Sequence, residues 1–194
     1  MLTKATITDE QYTSRVQRED KSMTFTPGVN VIVGNNGSGK STIYDLLSDR
    51  TSGEKRECLD LETQGLGFTV CRMKMQEQGL ATDMQLANGA QFMSGAMARF
   101  ESHGENLWRS LELCTEFKDG SVIIIDEPEQ ALDFKNLLKL RDNLLANKHR
   151  LQFIIATHNP ILMLAADNII SMDKDQTYAE KVIKAYRKEL SESA

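Results

Sequence analysis

The chain has 194 residues, of which 40% are hydrophobic and 26% are charged, a composition typical of a soluble globular protein. Its 23 basic and 28 acidic residues give a net charge of −5, so the chain has no overall basic field to hold nucleic acid or an anionic membrane. Binding of nucleic acid through a local basic patch is the alternative that this charge leaves. The longest apolar runs, residues 122–125 and 161–166, are too short to cross a bilayer, which excludes a membrane transporter made of this chain alone.

The start of the chain and its cysteines indicate where the protein works. The sequence MLTKATITDEQ lacks the apolar core of a secretory signal peptide. The three cysteines, Cys58, Cys71 and Cys114, form no CxxC pair, and the three histidines lie at spacings that fit no zinc motif. We therefore expect reduced thiols, a cytoplasmic protein without membrane insertion, and a single domain over residues 1–194.

The first half of the chain is predicted to begin with strands. They are expected at residues 4–7, 23–25, 29–33 and, further along, within 68–75. A helix is predicted at residues 40–48, after the glycine-rich residues 34–39, whereas residues 49–65 give no clear element. Residues 79–98, rich in Met, Gly, Ala and Asn, favour a loosely packed helical region, with a partner-binding surface as the alternative.

The second half alternates between strands and helices. Helices are predicted at residues 104–117, 134–146 and 176–190. Apolar, mostly β-branched runs predict buried strands at residues 121–125, 151–156 and 169–172. This alternation predicts an α/β fold with a mainly parallel core sheet.

One glycine-rich run fits G-x-x-x-x-G-K-[ST] at every fixed position: Gly34-Asn35-Asn36-Gly37-Ser38-Gly39-Lys40-Ser41. Glycines let the backbone N–H groups point at phosphate oxygens, and the helix that follows adds its positive dipole end. Lys40 is predicted to reach the β- and γ-phosphates, Ser41 to ligate Mg²⁺, and Thr42 to donate to the α-phosphate. Because the run follows a strand and opens a helix, we interpret it as a phosphate-binding loop.

Two carboxylates end a second predicted strand. Asp126 and Glu127 follow the buried run at residues 122–125. In a parallel sheet, ligands gather at the carboxyl ends of strands, which is also the edge of the phosphate loop. Asp126 is therefore predicted to hold Mg²⁺, and Glu127 to orient or deprotonate the attacking water beside the γ-phosphate.

Both motifs together indicate a P-loop NTPase, and further residues make the chain resemble the ATP-binding-cassette ATPases, including their soluble chromosome-maintenance and break-repair members. Ser102-His103-Gly104-Glu105 resembles the family signature and lies 24 residues before Asp126. The chain departs from the usual pattern, because Glu101 stands where leucine is usual and His103 where the first glycine is usual. The resemblance implies that Ser102 and Gly104 cap the γ-phosphate bound to the other subunit of a dimer.

The resemblance also assigns roles to residues around the two acidic positions. Asp133 lies at the family's D-loop position, on the dimer interface. His158, at a predicted strand end 32 residues after Asp126, matches the switch histidine, whose neutral imidazole bonds the γ-phosphate. Gln76, with Gln78 as a second candidate, is implied as the Q-loop ligand of Mg²⁺.

The family fold implies an α/β core, an N-terminal antiparallel β part and a helical subdomain. Only 60 residues separate Ser41 from Ser102, so the helical insertion, roughly residues 77–117, must be small. Tyr12, Arg15 and Arg18 are the candidates for stacking on adenine.

We expect from this resemblance an Mg²⁺-dependent ATPase that works as an ATP-induced homodimer and drives an effector protein. A role in DNA repair or defence is an analogy with relatives, and nucleic acid would be reached only through that effector. A nucleotide-gated binding switch with negligible turnover is the alternative, because the signature departs at Glu101 and His103. A small-molecule kinase would leave the pattern from Asp126 to Asp133 and His158 unexplained.

Overall fold

The computed structural model of the protein describes residues 1–52, 58–64, 70–74, 117–130 and 132–192. The strands are β1 (Leu2–Ile7), β2 (Ser22–Thr24), β3 (Gly28–Val33), β4 (Leu59–Thr63), β5 (Val70–Lys74), β6 (Val122–Asp126), β7 (Gln152–Ala156) and β8 (Asn168–Ser171). The helices are α1 (Glu10–Thr13), α2 (Lys40–Ser52), α3 (Phe134–Asn147), α4 (Pro160–Leu164) and α5 (Tyr178–Glu192). None of the described helices carries an apolar stretch long enough to cross a membrane.

A five-stranded sheet forms the centre of the fold, in the order β5-β6-β7-β3-β8. All four of its strand pairs are parallel, so the carboxyl ends of the strands share one edge. A second sheet is antiparallel, in the order β2-β1-β4. The predicted α/β fold, with a mainly parallel core and an N-terminal antiparallel part, is confirmed.

The central strands bury side chains on both faces, because helices or a second sheet cover each face. In β6, Ile123 and Ile125 point to one core, while Val122 and Ile124 point to the other. The first core also receives Leu137, Leu140 and Leu144 of α3, whose spacing of three and four residues forms one stripe of that helix. The second core lies between the parallel sheet, α2 and the antiparallel sheet.

A buried glutamine joins the two sheets. Gln152, at the start of β7, is fully buried. Its side-chain oxygen accepts from the N–H of Leu2 at 2.8 Å, and its amide donates to the carbonyl oxygens of Leu2 at 2.7 Å and Thr26 at 2.9 Å. The antiparallel sheet is thus fixed to the amino end of a central parallel strand.

The elements observed differ from prediction in the short helices α1 and α4, which were not predicted, and within residues 49–65. There α2 continues to Ser52, and β4 pairs antiparallel with β1. Leu59 of β4 is buried while Asp60 and Glu62 are exposed, so the strand alternates with a period of two inside a polar segment that gave no signal. The predicted helical insertion at residues 77–117 lies, except for Phe117, outside the described residues.

Candidate functional site

The loop between β3 and α2 turns sharply at glycines. Gly39 has φ 105°, and a Cβ there would lie 2.9 Å from the carbonyl oxygen of Arg15. A Cβ at Gly34 would lie 2.5 Å from the hydroxyl oxygen of Ser38. Both positions therefore require glycine, for conformation and for space.

Lys40, the first residue of α2, is only 5% exposed. Its ammonium donates to the carbonyl oxygens of Gly34 at 3.1 Å and Asn35 at 3.3 Å. Burial lowers the pKa of Lys40, while the negative charges of Glu127 and Asp126 act in the opposite direction. Because these carbonyl partners are neutral, anionic phosphate oxygens would make stronger hydrogen bonds to the same ammonium.

A cavity of about 430 Å³ opens beside the loop. It is lined by Arg15, Asn36, Gly37, Gly39, Lys40, Ser41, Thr42 and Glu127. Two predicted loop residues do not line it: Ser38 is fully buried, and Asn35 donates hydrogen bonds to Asp173. The cavity therefore brings together the amino end of α2 and the carboxyl end of β6.

Glu127 follows β6 in an unusual backbone conformation, with φ 44°. A non-glycine residue in this left-handed region costs about 1–3 kcal/mol, and such residues cluster at functional sites. The N–H of Glu127 donates to the carbonyl oxygen of Ala156 at 2.8 Å, and the Gln130 amide donates to its carboxylate. Its neighbour Asp126 is buried at the strand end.

His158 follows the adjacent strand, β7, and faces Glu127. Its Nε2 lies 3.6 Å from Oε1 of Glu127. Burial is the largest cause that lowers the pKa of His158, and the positive charge of Lys40 lowers it further, against the opposing charges of Glu127 and Glu129. The imidazole is thus held in its neutral form beside a carboxylate.

Glu129 joins the two strand ends and was not predicted from the sequence. One of its oxygens, Oε1, accepts from the Thr157 hydroxyl and from the His158 backbone N–H, each at 2.7 Å. It lies in the 3₁₀ turn Pro128–Gln130 after β6. The sequence carries no signal for this contact, which spans 28 and 29 residues.

Asp173 and Tyr178 are two further residues that the sequence analysis missed. Asp173 follows β8, and its Oδ1 accepts from the N–H of Asn35 at 3.1 Å and from its side-chain amide at 2.9 Å. Tyr178 places its hydroxyl 2.9 Å from Nδ1 of His158. The rule that ligand-binding groups follow parallel strands could have found Asp173, but nothing in the sequence singles out Tyr178.

The remaining predicted residues are placed as follows. Asp133 caps α3, because its carboxylate accepts from the N–H of Asn136 at 2.7 Å. Arg15 lines the cavity and lies 5.4 Å above the Tyr12 ring, whereas Arg18 donates to the Ser171 carbonyl oxygen at 3.1 Å. Four predicted or candidate residues lie outside the described part of the chain: Gln76, Gln78, Ser102 and Gly104.

Comparison with known proteins places the chain in a family. The family model described as an AAA domain (AAA_23) matches residues 11–193. No curated protein matches the chain significantly.

Solved structures resemble the chain in fold. The SMC head domain from Thermotoga maritima is 18% identical at a TM-score of 0.51, over 88% of this chain and 94% of that one. The protein cbiO1 from Clostridium perfringens, part of the ABC transporter complex cbiONQ, is 16% identical at a TM-score of 0.52, over 89% and 87%. The dimeric ATP-binding cassette MJ0796, in a post-hydrolysis state bound to ADP and Pi, is 16% identical at a TM-score of 0.50, over 81% and 86%.

The chain belongs to the AAA domain family and is a P-loop ATPase with the fold shared by SMC heads and ATP-binding cassettes.

Proposed function

We propose that the chain binds ATP with Mg²⁺ between two copies of itself, hydrolyses it there, and uses the closing and opening of this dimer to act on an effector protein. The observation that carries this proposal is the meeting of three groups at one sheet edge. Lys40 follows β3, Glu127 follows β6 and His158 follows β7, and Lys40 and Glu127 line the same cavity. A lysine that holds a terminal phosphate, a carboxylate that activates the attacking water and an imidazole that stabilises the phosphate charge are the groups that this reaction needs.

The phosphate loop supplies binding. The backbone N–H groups of residues 36–39 and the ammonium of Lys40 donate hydrogen bonds to the β- and γ-phosphates, and Thr42 donates to the α-phosphate. Arg15, which lines the cavity and lies 5.4 Å above the Tyr12 ring, is the surface on which we place adenine. Arg18 is engaged with the carbonyl oxygens of Ser171 and Asp20 and is a weaker candidate.

The oxygen donors at the site fit Mg²⁺. Ser41 lines the cavity with a hydroxyl, and the buried carboxylate of Asp126 ends β6. Hydroxyl and carboxylate oxygens are the hard ligands that Mg²⁺ prefers beside phosphates, and we assign Gln76 as a further ligand. When bound, the ion neutralises charge on the phosphate oxygens.

Glu127 and His158 perform the chemical step in this proposal. The Glu127 carboxylate orients the attacking water and accepts its proton, so that the water oxygen bonds to the γ-phosphorus as the bond to the β-phosphate oxygen breaks. His158 stabilises the γ-phosphate by donating from Nε2. Its lowered pKa keeps the imidazole neutral and suited to this single donation.

The dimer completes the site. Ser102 and Gly104 of the partner subunit cap the γ-phosphate, and Asp133 lies along the interface. The dimeric nucleotide-bound state of MJ0796, a protein of the same fold, supports this arrangement. The net charge of −5 supports an effector protein, rather than this chain, as the point of contact with any nucleic acid.

Trapping the closed state tests the dimer. We expect the Glu127→Gln chain to elute as a dimer with ATP and Mg²⁺, because nucleotide binds but the water is not activated. The double variant Lys40→Ala/Glu127→Gln should stay a monomer, and Lys184→Ala/Glu127→Gln, which changes an exposed lysine of α5, should dimerise like the single variant. A monomeric Glu127→Gln chain at high concentration with saturating ATP would contradict the dimer.

Phosphate release tests the enzyme. The wild-type chain is expected to release phosphate continuously, and the Glu127→Gln chain is expected to lose this release. Absence of release from a wild-type chain that binds ATP would favour the nucleotide-gated switch.

A further inference from the structure

We propose that Tyr178 is a positioning residue for His158: its hydroxyl donates to Nδ1 and so fixes the tautomer that carries its proton on Nε2, towards Glu127 and the terminal phosphate. This inference rests on the proposed function and adds the group that sets the donor state of the histidine.

The geometry around the imidazole leaves one role for each nitrogen. Nδ1 lies 2.9 Å from the Tyr178 hydroxyl, and the two rings meet edge to face, with centroids 6.0 Å apart and an interplanar angle of 74°. Nε2 lies on the Glu127 side, 3.6 Å from Oε1, and is buried without a hydrogen-bond partner among the described residues. The ring is therefore held between a phenol and a carboxylate.

Charge on the Nε2 side favours the same tautomer that the Tyr178 hydroxyl fixes. A neutral imidazole has one donor and one acceptor nitrogen. An ionised carboxylate and a phosphate oxygen accept only, so they favour a donor on the nitrogen that faces them. Tyr178 keeps its own proton, because burial and the nearby charges of Asp173 and Glu129 raise its pKa, and it is therefore able to donate to Nδ1.

The phenol itself is held by the turn before α5. Tyr178 is the first residue of this helix, and the Thr177 hydroxyl just before it donates to the Asp175 carboxylate at 2.7 Å. The Lys181 ammonium, in the first turn of the helix, donates to the same carboxylate oxygen at 2.8 Å. Three groups therefore fix the helix start from which the hydroxyl reaches the imidazole.

On the other side, the backbone of the histidine is also held. The N–H of His158 donates to Glu129 at 2.7 Å. With the backbone fixed there, the Tyr178 hydroxyl makes the ring's one hydrogen bond among the described residues, because Glu127 lies 3.6 Å from Nε2, and it is therefore the contact that selects between the two ring nitrogens. Loss of the hydroxyl leaves both tautomers open and allows the ring to turn, so part of the population would present a lone pair to the phosphate.

The test replaces Tyr178 by Phe, which removes one oxygen and keeps the ring. Nitrogen-15 NMR reads which imidazole nitrogens carry protons, and the His158→Gln spectrum identifies the signals of His158 among the three histidines. At a pH where the ring is neutral, the nucleotide-free wild-type chain should show His158 protonated on Nε2 alone. Tyr178→Phe should show a mixture of both tautomers.

A matched control changes a second tyrosine on the same helix. Tyr186→Phe, eight residues further along α5, should keep the wild-type tautomer and the wild-type kcat. Tyr178→Phe should lower kcat about five- to tenfold, as loss of one hydrogen bond implies, while the KM for ATP changes less than twofold.

The proposal fails if wild-type His158 carries its proton on Nδ1, or if Tyr178→Phe leaves the tautomer unchanged. The tautomer is read without nucleotide or turnover. A wild-type chain without phosphate release would therefore refute the proposed function, while the NMR result would still decide the role of Tyr178.

Discussion

Asp173 accepts two hydrogen bonds from Asn35 through a single carboxylate oxygen, one from the backbone N–H at 3.1 Å and one from the side-chain amide at 2.9 Å. Asp173 is buried just after β8, and Asn35 is the second residue of the phosphate loop. A loop rich in glycine loses much conformational entropy when it is ordered. The carboxylate reduces that loss on binding, because it holds the entry of the loop in place before nucleotide arrives.

Replacement of Asp173 by Ala should therefore weaken ATP binding. We expect the Kd for ATP to rise about tenfold, equivalent to about 1.4 kcal/mol, since hydrogen bonds to a charged group contribute about 1.5–3 kcal/mol and water replaces part of that. Isothermal titration calorimetry measures the change. Asp173→Asn keeps an acceptor oxygen for Asn35 and should lose less than the alanine variant; equal losses would argue against the hydrogen bonds.

Glu129 is expected to matter for both stability and turnover. Glu129→Ala removes the acceptor of the Thr157 hydroxyl and of the His158 N–H, so we expect a loss of about 2 kcal/mol in the free energy of unfolding. Because the histidine backbone is then released, kcat should also fall about tenfold. Urea denaturation and steady-state phosphate release measure these effects.

The control for Glu129 is Glu129→Gln, which keeps an acceptor oxygen at the same position. It should retain most of the stability and more of the turnover than Glu129→Ala. A Glu129→Ala chain with wild-type kcat would show that this contact does not position His158.

The lowered pKa of His158 predicts how stability depends on pH. Burial, aided by Lys40, disfavours the charged imidazole in the folded chain, so the unfolded chain binds the proton more tightly. The stability that this group contributes is therefore full above the unfolded pKa of about 6.5. It falls as the pH drops from that value to the lower pKa of the folded chain, by at most about 1.4 kcal/mol per pH unit.

Urea denaturation of the wild-type and His158→Gln chains at pH 8 and pH 5.5 checks this sign. The wild-type chain should lose more stability on acidification than the variant, because the variant has no group to protonate at this position. If both chains lose the same amount, His158 does not titrate as its burial implies.

Gln152 predicts a stability effect remote from the nucleotide site. Gln152→Ala leaves the buried N–H and carbonyl oxygen of Leu2 without their partner, and we expect a loss of about 2–4 kcal/mol in the free energy of unfolding. Gln11→Ala, at an exposed position of α1, should change it by less than about 0.5 kcal/mol. Similar urea midpoints for the two variants would mean that the link between the sheets contributes little.

The parts of the fold that could be predicted are those that depend on the residue pattern of a short stretch of sequence. The run at residues 122–125 is β-branched and apolar throughout, and it forms the buried strand β6, as predicted. The phosphate loop carries its own fixed spacing, and the structure places it between β3 and α2, as predicted. The strand β4 escaped prediction because it pairs on one side only and shows charged side chains to solvent.

The supporting contacts of the site could not be predicted in the same way. Tyr178 meets a histidine 20 residues away, and Asp173 meets Asn35 across 138 residues. Such pairs depend on how the helices and strands pack, and neither a tyrosine nor an aspartate in the sequence indicates which distant residue it will contact. The roles of Lys40, Glu127 and His158 remain predictions that the variants above test.

The strand order has a consequence for how well the candidate site tolerates substitutions. Glu127, His158, Lys40 and Asp173 come after β6, β7, β3 and β8 respectively, and these four strands are consecutive neighbours in the sheet. Adjacent strands lie about 4.8 Å apart at a distance set by peptide hydrogen bonds. The spacing between Glu127 and His158, which follow paired strands, is therefore set by main-chain hydrogen bonds, so conservative changes of the apolar side chains beneath them should leave it unchanged as long as the strands stay in register.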